Sequence, residues 1–321
     1  METKPLVSIV TPSYNKATFI EETILSVKNQ TYPHIEHLVI DGGSTDGTLD
    51  ILRKYSDSLT WISEPDKGQA DAINKGWKMA KGEILAYLNA DDTYMPWAVE
   101  TAVKFLNDDP DVGMLYGECN IIDENGKVIG RFGAEDFELK KIICDRCIVP
   151  QPAAFLRRAV LDKVGYLNTS LYMAMDLELW IRISMRFKVK YVPHVLANFR
   201  LSPSAKTSSE TPRFSRDRFA ILDETFSNLE LPEEIRSLRN QAYSYAHFEA
   251  AWIYCQQRRR REACKHLVKS VVIWPNRLRD DRVYATLAET LFGKRLTKTP
   301  IGWASSLKAK FRKDSSQPRR C

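Results

Sequence analysis

The sequence lacks the features that mark secreted proteins, membrane-spanning proteins, and nucleotide-binding proteins with a glycine-rich phosphate loop. Its N-terminus has no basic region followed by an apolar run and a cleavage site, and no stretch approaches the ~20 apolar residues of a membrane span. We therefore expect a cytoplasmic protein. Neither G-x-G-x-x-G nor G-x-x-x-x-G-K-[ST] occurs, which argues against a Rossmann cofactor domain and a P-loop.

Cysteine is also sparse, with six residues in a chain of 321. Cys144 and Cys147 form one C-x-x-C, but no second pair follows at zinc-finger spacing. In a reducing compartment these patterns favour free thiols over disulfides, and structural zinc is the less favoured alternative. No nucleic-acid recognition motif is present either, so we expect no nucleic-acid partner.

Positive charge is concentrated at the C-terminus. The chain carries a net +6, and residues 291–321 hold nine Lys or Arg against one acid. Trp303, Leu307 and Phe311 recur every four residues among these basic residues, which predicts a short basic amphipathic helix. We expect peripheral association with an anionic membrane surface, and a solvated tail is the alternative.

Short β-rich apolar runs alternate with helical patterns over the first hundred residues, as in an α/β sheet with largely parallel strands. The predicted strands cover residues 6–12, 35–41, 59–63 and 84–88. Thr18 and Glu21 form a capping-box pattern for a first helix that ends near residue 30. Asp46 is expected to cap a second helix reaching residue 55, and a third covers 69–80.

Beyond the first hundred residues, the pattern indicates a β-hairpin and then helices. Strands are predicted at 112–116, 120–123 and 127–132, the last two joined by a turn at 124–126, so the sheet should be mixed. Helical patterns dominate from residue 212, including 241–257 and 261–273. We expect an α/β domain over 1–208, a helical region over 209–290 and a basic tail over 291–321.

Polar residues stand at the carboxyl ends of the four predicted strands: Thr11, Asp41, Asp66, and Asp91 with Asp92. Each aspartate alone could be an ordinary turn former or helix cap. Ligands of open α/β sheets bind beyond the carboxyl ends of the strands, however, so we expect these side chains to share one crevice. Neighbouring carboxylates suit Mg²⁺ or Mn²⁺, which reach proteins through one or two carboxylates plus substrate phosphates.

Five stretches, VSIVTPSYN, LVIDGGSTDGT, SEPDKGQADAINKGWKMAKGE, LAYLNADD and DLELWIRI, occur in the order and spacing of the family 2 glycosyltransferases. The resemblance covers residues 5–207. It implies the GT-A fold and a hexosyltransferase that moves a sugar from a nucleotide diphosphate sugar to an acceptor hydroxyl with inversion. We expect a UDP-linked donor and a glycan or lipid-linked acceptor, in polysaccharide, lipopolysaccharide or glycolipid synthesis.

The resemblance also implies residue roles in donor binding. The base-contacting segment corresponds to Thr11, Pro12 and Tyr14. Asp41 matches the carboxylate that meets the nucleobase, and residues 66–69, including Asp66 and Gln69, match the lining of the nucleotide cleft. Asp91 is expected to approach the ribose, and Asp92 to hold the Mn²⁺ or Mg²⁺ that bridges the two phosphates.

Asp176, at the start of the helix DLELWIRI, looks like the family's general base, the carboxylate that must accept the proton that the acceptor hydroxyl loses as it attacks. A helix cap is the alternative role. Glu178 is the rival, but two residues along a helix turn by about 200°, so the two cannot face one cleft.

The sequence departs from the family pattern at two places. Met175 replaces an acid that commonly precedes the base, and Ser202 replaces a histidine that can approach the metal or diphosphate. Lys206 or Arg200 could compensate by contacting a phosphate. A decayed module that binds nucleotide or glycan without turnover is the alternative function. Residues 149–152 resemble an acceptor-side loop or, equally, a proline-ordered connection.

Overall fold

The computed structural model describes residues 4–202 and 211–293, and the chain divides into two compact units. The first comprises Met1–Phe137 with Val149–Leu201, and the second comprises Glu138–Ile148 with Ser202–Cys321. The inferences made above for Lys206, the boundary at 208 and residues 294–321 lie outside the described residues.

The described part of the first unit contains one nine-stranded sheet. Its strands are β1 (Val7–Ser13), β2 (Ile35–Asp41), β3 (Thr60–Ser63), β4 (Ile84–Tyr87), β5 (Thr93–Tyr94), β6 (Val112–Ile122), β7 (Val128–Phe132), β8 (Ala154–Arg157) and β9 (Lys188–Arg200). Their order is β3-β2-β1-β4-β8-β6-β9-β5, with β7 paired to β6.

The sheet is mixed, as predicted. Strands β3, β2, β1 and β4 are parallel neighbours, β8 runs antiparallel to both β4 and β6, and β6 and β9 are parallel. The predicted hairpin is confirmed, because β6 and β7 are antiparallel and Gly126 in the turn has φ 79°.

Helices flank this sheet: α1 (Ile20–Lys28), α2 (Thr48–Lys54), α3 (Gln69–Met79), α4 (Ala98–Asp108), α6 (Arg158–Val164) and α7 (Met175–Ser184). Gly76 lets α3 approach the sheet closely, since a Cβ there would lie 2.4 Å from Val10 Cγ1. One buried cluster joins residues of β1, β4, β6, β8 and β9 to the inner face of α4, where Val99, Ala102 and Leu106 are fully buried.

Two local predictions were wrong. The strands expected at 112–116 and 120–123 are one strand, because β6 pairs with β9 along its whole length, with register shifts on both sides of Gly117. A Cβ at Gly117 would lie 2.6 Å from the His194 carbonyl oxygen. Helix α1 is preceded by Phe19 and has no side-chain cap; Glu21 instead accepts hydrogen bonds from Lys54 (2.6 Å) and Tyr55 (2.7 Å).

The described part of the second unit is helical, as predicted. It contains α5 (Leu139–Cys144), α8 (Thr211–Ser227), α9 (Glu233–Arg236), α10 (Arg239–Gln256), α11 (Arg260–Ile273) and α12 (Asp281–Phe292). Tyr245, Phe248 and Ala251 of α10 pack with Leu267 of α11 and Val283 of α12. Within the described ranges, no helix combines the length and apolar character that crossing a bilayer requires.

Candidate active site

The strand register brings the predicted polar residues to one edge of the sheet. Ser13, the last residue of β1, pairs with Asp41 of β2, and Asp41 pairs with Ser63 of β3. Val10 of β1 pairs with Tyr87 at the end of β4, and the loop carrying Asp91 follows. The carboxyl ends of four parallel strands therefore border the same crevice.

Asp41 is buried and organises the loop after β2. Its Oδ2 accepts hydrogen bonds from the backbone N–H groups of Gly43 (3.0 Å) and Ser44 (2.8 Å) and from Ser63 Oγ (2.7 Å), while Oδ1 accepts from Ser44 Oγ (2.5 Å). The neighbouring Ser13 hydroxyl is buried without a hydrogen-bond partner among the residues described. A buried hydroxyl without a partner is costly.

Gly42 brings three predicted site elements into contact. A Cβ at this residue would lie 2.7 Å from Asp66 Oδ2 and 3.4 Å from Tyr14 Cδ2. Asp66 is half-buried, and its Oδ1 accepts the Gly68 N–H at 2.8 Å, which fixes the turn before α3. Tyr14 is 62% exposed, so its ring is available to stack on a ligand.

Asp91 lies on the open side of the acidic pair. Its Oδ2 accepts a hydrogen bond from Lys16 Nζ at 2.6 Å, and the two side chains are 16% and 30% exposed. Thr48 Oγ1 accepts the Lys16 backbone N–H at 3.0 Å and so holds the loop that carries Lys16. No local pattern singles out Lys16, because its ion pair with Asp91 spans 75 residues.

Asp92 is the buried member of the pair, 1% exposed. Its Oδ1 accepts the Arg200 backbone N–H at 2.9 Å, and its Oδ2 accepts from Asn89 Nδ2 at 3.1 Å. Burial and the adjacent Asp91 carboxylate raise the pKa of Asp92 well above its usual range, although these hydrogen bonds oppose the shift.

Arg200 does not face the crevice, so its predicted phosphate contact is wrong. Its side chain is 1% exposed, and it donates to the Asp91 carbonyl (2.9 Å) and to Glu22 Oε2 (2.5 Å). It also donates to the carbonyls of Asp123 and Glu124 in the β6–β7 turn. Arg200 therefore fixes the backbone of the acidic loop instead of reaching a ligand.

Hydrogen bonds among the side-chain amides of Gln69, Asn89 and Gln151 support the loop that carries Asp91 and Asp92. Gln69 Nε2 donates to Asn89 Oδ1 (2.6 Å), and Asn89 Nδ2 donates to Gln151 Oε1 (3.1 Å). Gln151 begins the 3-10 turn Gln151–Ala153 and donates to the Tyr87 carbonyl at 2.8 Å. Residues 149–152 thus connect directly to the Asn89–Asp91 loop, a contact that the sequence left open.

Thr11 and Pro12 are both buried. The Thr11 hydroxyl lies 2.9 Å from His37 Nε2, inside the sheet. Burial lowers the pKa of His37 to about 4, so this imidazole is neutral and pairs with the hydroxyl. The side chain of Thr11 is therefore occupied within the fold, and a base contact by this segment stays a prediction.

Asp176 and Glu178 occupy different environments on α7, as the helical geometry predicted. Asp176, the second residue of the helix, is half-buried, and its Oδ1 accepts the Leu177 N–H at 2.8 Å. Glu178 is 4% exposed and forms an ion pair with Arg182, which also donates to the Tyr166 carbonyl at 2.7 Å. Glu178 therefore supports α7, and the base role of Asp176 stays a prediction.

Within residues 4–202 and 211–293, no group of three or more His, Cys, Asp or Glu side chains is arranged to hold a metal ion. A divalent cation still fits this edge if Asp91 provides one ligand and a bound diphosphate and water provide the others, because Mg²⁺ and Mn²⁺ sites in phosphate-transfer enzymes use few protein carboxylates.

Sequence comparison gives a consistent set of relatives. Residues 8–165 match the sequence profile of glycosyl transferase family 2. An uncharacterized glycosyltransferase of Mycobacterium tuberculosis is 32% identical over 202 residues, covering 62% of this chain and 76% of the relative. One from Methanocaldococcus jannaschii is 27% identical over 208 residues, covering 62% and 71%.

Structural comparison identifies the fold. Residues 1–349 of S. aureus TarS, in complex with UDP-GlcNAc, superpose with a TM-score of 0.66 at 18% identity, covering 90% of this chain and 92% of that one. The mannosyltransferase PcManGT of Pyrobaculum calidifontis, with GDP-Man and Mn²⁺, gives a TM-score of 0.61 at 21% identity, covering 91% and 89%. A longer TarS chain is covered over 55% of its length. The predicted GT-A fold is confirmed.

Proposed function

This chain belongs to the family 2 glycosyltransferases, and on that premise we propose that it transfers a hexose from a nucleotide diphosphate sugar to an acceptor hydroxyl with inversion. The observation that carries the proposal is the convergence of Asp41, Asp66 and Asp91 at the carboxyl ends of β2, β3 and β4, three of the four parallel strands. The nucleotide-sugar complexes of TarS and PcManGT, which share the fold, support this donor class.

The donor's nucleoside would lie against the Gly42 loop. Tyr14 offers an exposed ring for stacking, and Asp66 offers a half-buried carboxylate beside it. Asp41 would act mainly through the backbone, because its oxygens hold the N–H groups of Gly43 and Ser44. Gln69 would position Asn89 through their 2.6 Å hydrogen bond.

For Asp91 and Asp92 we propose the reverse of the metal-binding assignment that the family resemblance implied. Asp92 is 1% exposed and bonded at both oxygens, whereas the Asp91 carboxylate is more exposed and faces Lys16. We therefore assign the cation to Asp91 and loop positioning to Asp92. A divalent cation bound there would stabilise the negative charge of the leaving nucleotide diphosphate.

Lys16 would release Asp91 when donor and cation bind, and would then lie close to the diphosphate. On the acceptor side, Asp176 would accept the proton of the attacking hydroxyl. Met175 need not mark a decayed site, because it is 4% exposed and a carboxylate at such a position would carry a large desolvation cost.

We further propose a glycan or lipid-linked acceptor in polysaccharide, lipopolysaccharide or glycolipid synthesis, and peripheral membrane association through residues 291–321. Such association would place the enzyme beside a lipid-linked acceptor at the inner face of the membrane.

Thermal unfolding with UDP, GDP or dTDP, each with and without Mn²⁺, tests the donor site. Ligand at about 100 times its Kd adds about 2.7 kcal/mol of stability, so the matching nucleotide should raise the Tm clearly. Asp91→Asn should remove the Mn²⁺-dependent part, and Asp92→Asn should retain some of it. The opposite pattern would restore the metal to Asp92. The anomeric configuration of the product, read by NMR, tests inversion.

A further inference from the structure

Helix α12 turns an apolar face outward. Its inner positions Thr286 and Thr290 are 1% and 2% exposed. Its outer positions Tyr284, Leu287 and Leu291 are 52%, 38% and 50% exposed. These three residues are spaced three and four apart, so they share one face. The helix thus places hydroxyl side chains inward and large apolar side chains in solvent.

The neighbouring parts of the second unit extend this apolar character. Val268 and Val272, four residues apart on α11, are 62% and 72% exposed, and Phe292 is 69% exposed. The start of α11 lies beside the end of α12, since a Cβ at Gly293 would be 3.3 Å from Arg260 Nη2. Single exposed apolar residues are normal, but a row of them along each of two neighbouring helices indicates a binding surface.

The same part of the chain is strongly basic. Residues 258–321 contain 18 Lys and Arg against five acids, a net +13, so the preceding 257 residues carry −7 of the chain's +6 total. On α11 the exposed residues Arg261, Lys265 and Lys269 accompany the exposed valines. In a symmetric contact, a second copy of the chain would bring the same positive charge to this surface and be repelled, whereas an anionic lipid surface complements both the charge and the apolar side chains.

We propose that the outward faces of α11 and α12 form a docking surface for a bilayer containing anionic phospholipid. The surface is defined by Val268, Val272, Tyr284, Leu287, Leu291 and Phe292. This deepens the membrane association proposed for residues 291–321, because it adds a folded apolar surface directly before the basic tail. Apolar side chains would enter the headgroup region while the lysines and arginines meet lipid phosphates.

Cosedimentation of the full chain with vesicles tests this surface. One vesicle preparation contains phosphatidylglycerol mixed with phosphatidylcholine, and the other contains phosphatidylcholine alone. The protein should bind the anionic vesicles at low salt and lose most of that binding at high salt, because salt screens the basic residues. The triple variant Tyr284→Ser/Leu287→Ser/Leu291→Ser should bind about tenfold more weakly or worse.

Leu229→Ser is the matched control, since Leu229 is 89% exposed in the same unit but lies outside the docking surface. It should bind as the unmodified chain does. The triple variant should also keep the same Tm and the same release of nucleotide diphosphate in solution, so a failed vesicle result is separable from a failed enzymatic function.

Three outcomes would overturn the proposal. The first is equal binding of the triple variant and the unmodified chain. The second is loss of binding only in Trp303→Ser/Phe311→Ser, which would assign attachment to the tail alone. The third is a dimer in solution that the triple variant dissociates, with no vesicle binding, which would assign the surface to a second copy.

Discussion

Gly42→Ala should weaken nucleotide binding without unfolding the protein, because Gly42 is the point where the loops carrying Tyr14 and Asp66 meet. The new methyl group would lie 2.7 Å from Asp66 Oδ2 and 3.2 Å from its Cγ, well inside normal contact distance. Asp66 would have to turn away, against the 2.8 Å hydrogen bond that it accepts from Gly68. Overpacking of this kind costs about 1–3 kcal/mol.

We therefore expect the Kd for the matching nucleoside diphosphate with Mn²⁺ to rise about tenfold, equivalent to about 1.4 kcal/mol. Isothermal titration calorimetry measures this change, and thermal unfolding of the ligand-free protein should show a smaller effect. Asp66→Ala provides the partner variant for a double-mutant cycle. In the Asp66→Ala background the clash is absent, so Gly42→Ala should then have little further effect.

Unchanged affinity in Gly42→Ala would refute the inference that the nucleoside lies against this loop. Strictly additive losses in the cycle would show that Gly42 and Asp66 act separately, and the close approach between them would then have no role in binding.

Three further predictions concern residues that support the site and the second unit. Arg200→Met should lower the free energy of unfolding in urea by about 2–4 kcal/mol, because it removes hydrogen bonds to the acidic loop and to Glu22; an unchanged value would contradict the support role. Glu178→Gln should destabilise the protein by about 3 kcal/mol by weakening the buried pair with Arg182, yet turnover per folded molecule should persist; its complete loss would instead favour Glu178 as the base. Burial raises the pKa of Glu249 from 4.5 to about 7, so the folded chain binds this proton more tightly than the unfolded chain does. The contribution to stability is thus full below pH ~4.5 and lost as the pH rises through ~7, a change of about 3 kcal/mol that Glu249→Gln should abolish in pH-dependent unfolding.

Much of the sheet could be predicted because the buried strands of a parallel sheet read as short apolar runs bounded by turn residues. The strand ends at Asp41 and Ser63 were predicted to the residue. The strand β6 was divided in the prediction because Gly117 interrupts its apolar run. In the fold, that glycine is what permits close pairing with β9.

The position of the candidate site could be predicted from the ends of the strands. The contacts and proposed roles of its individual residues could not. Asp91 and Asp92 are adjacent residues of one type, and the hydrogen bonds that distinguish the buried Asp92, from the Arg200 backbone and from Asn89, arise only in the folded chain. Lys16 joins Asp91 through the tertiary structure alone, as Gln151 joins Asn89. Contacts between residues this distant along the chain carry no local sequence signal.

Release of nucleotide diphosphate from a panel of nucleotide sugars with Mn²⁺ tests the central claim most directly. We predict release by the unmodified chain with one donor, and its loss in both Asp91→Asn and Asp176→Asn while the circular dichroism spectrum and Tm are kept. Full release by both variants, or none by the unmodified chain with any donor and acceptor, would contradict the account.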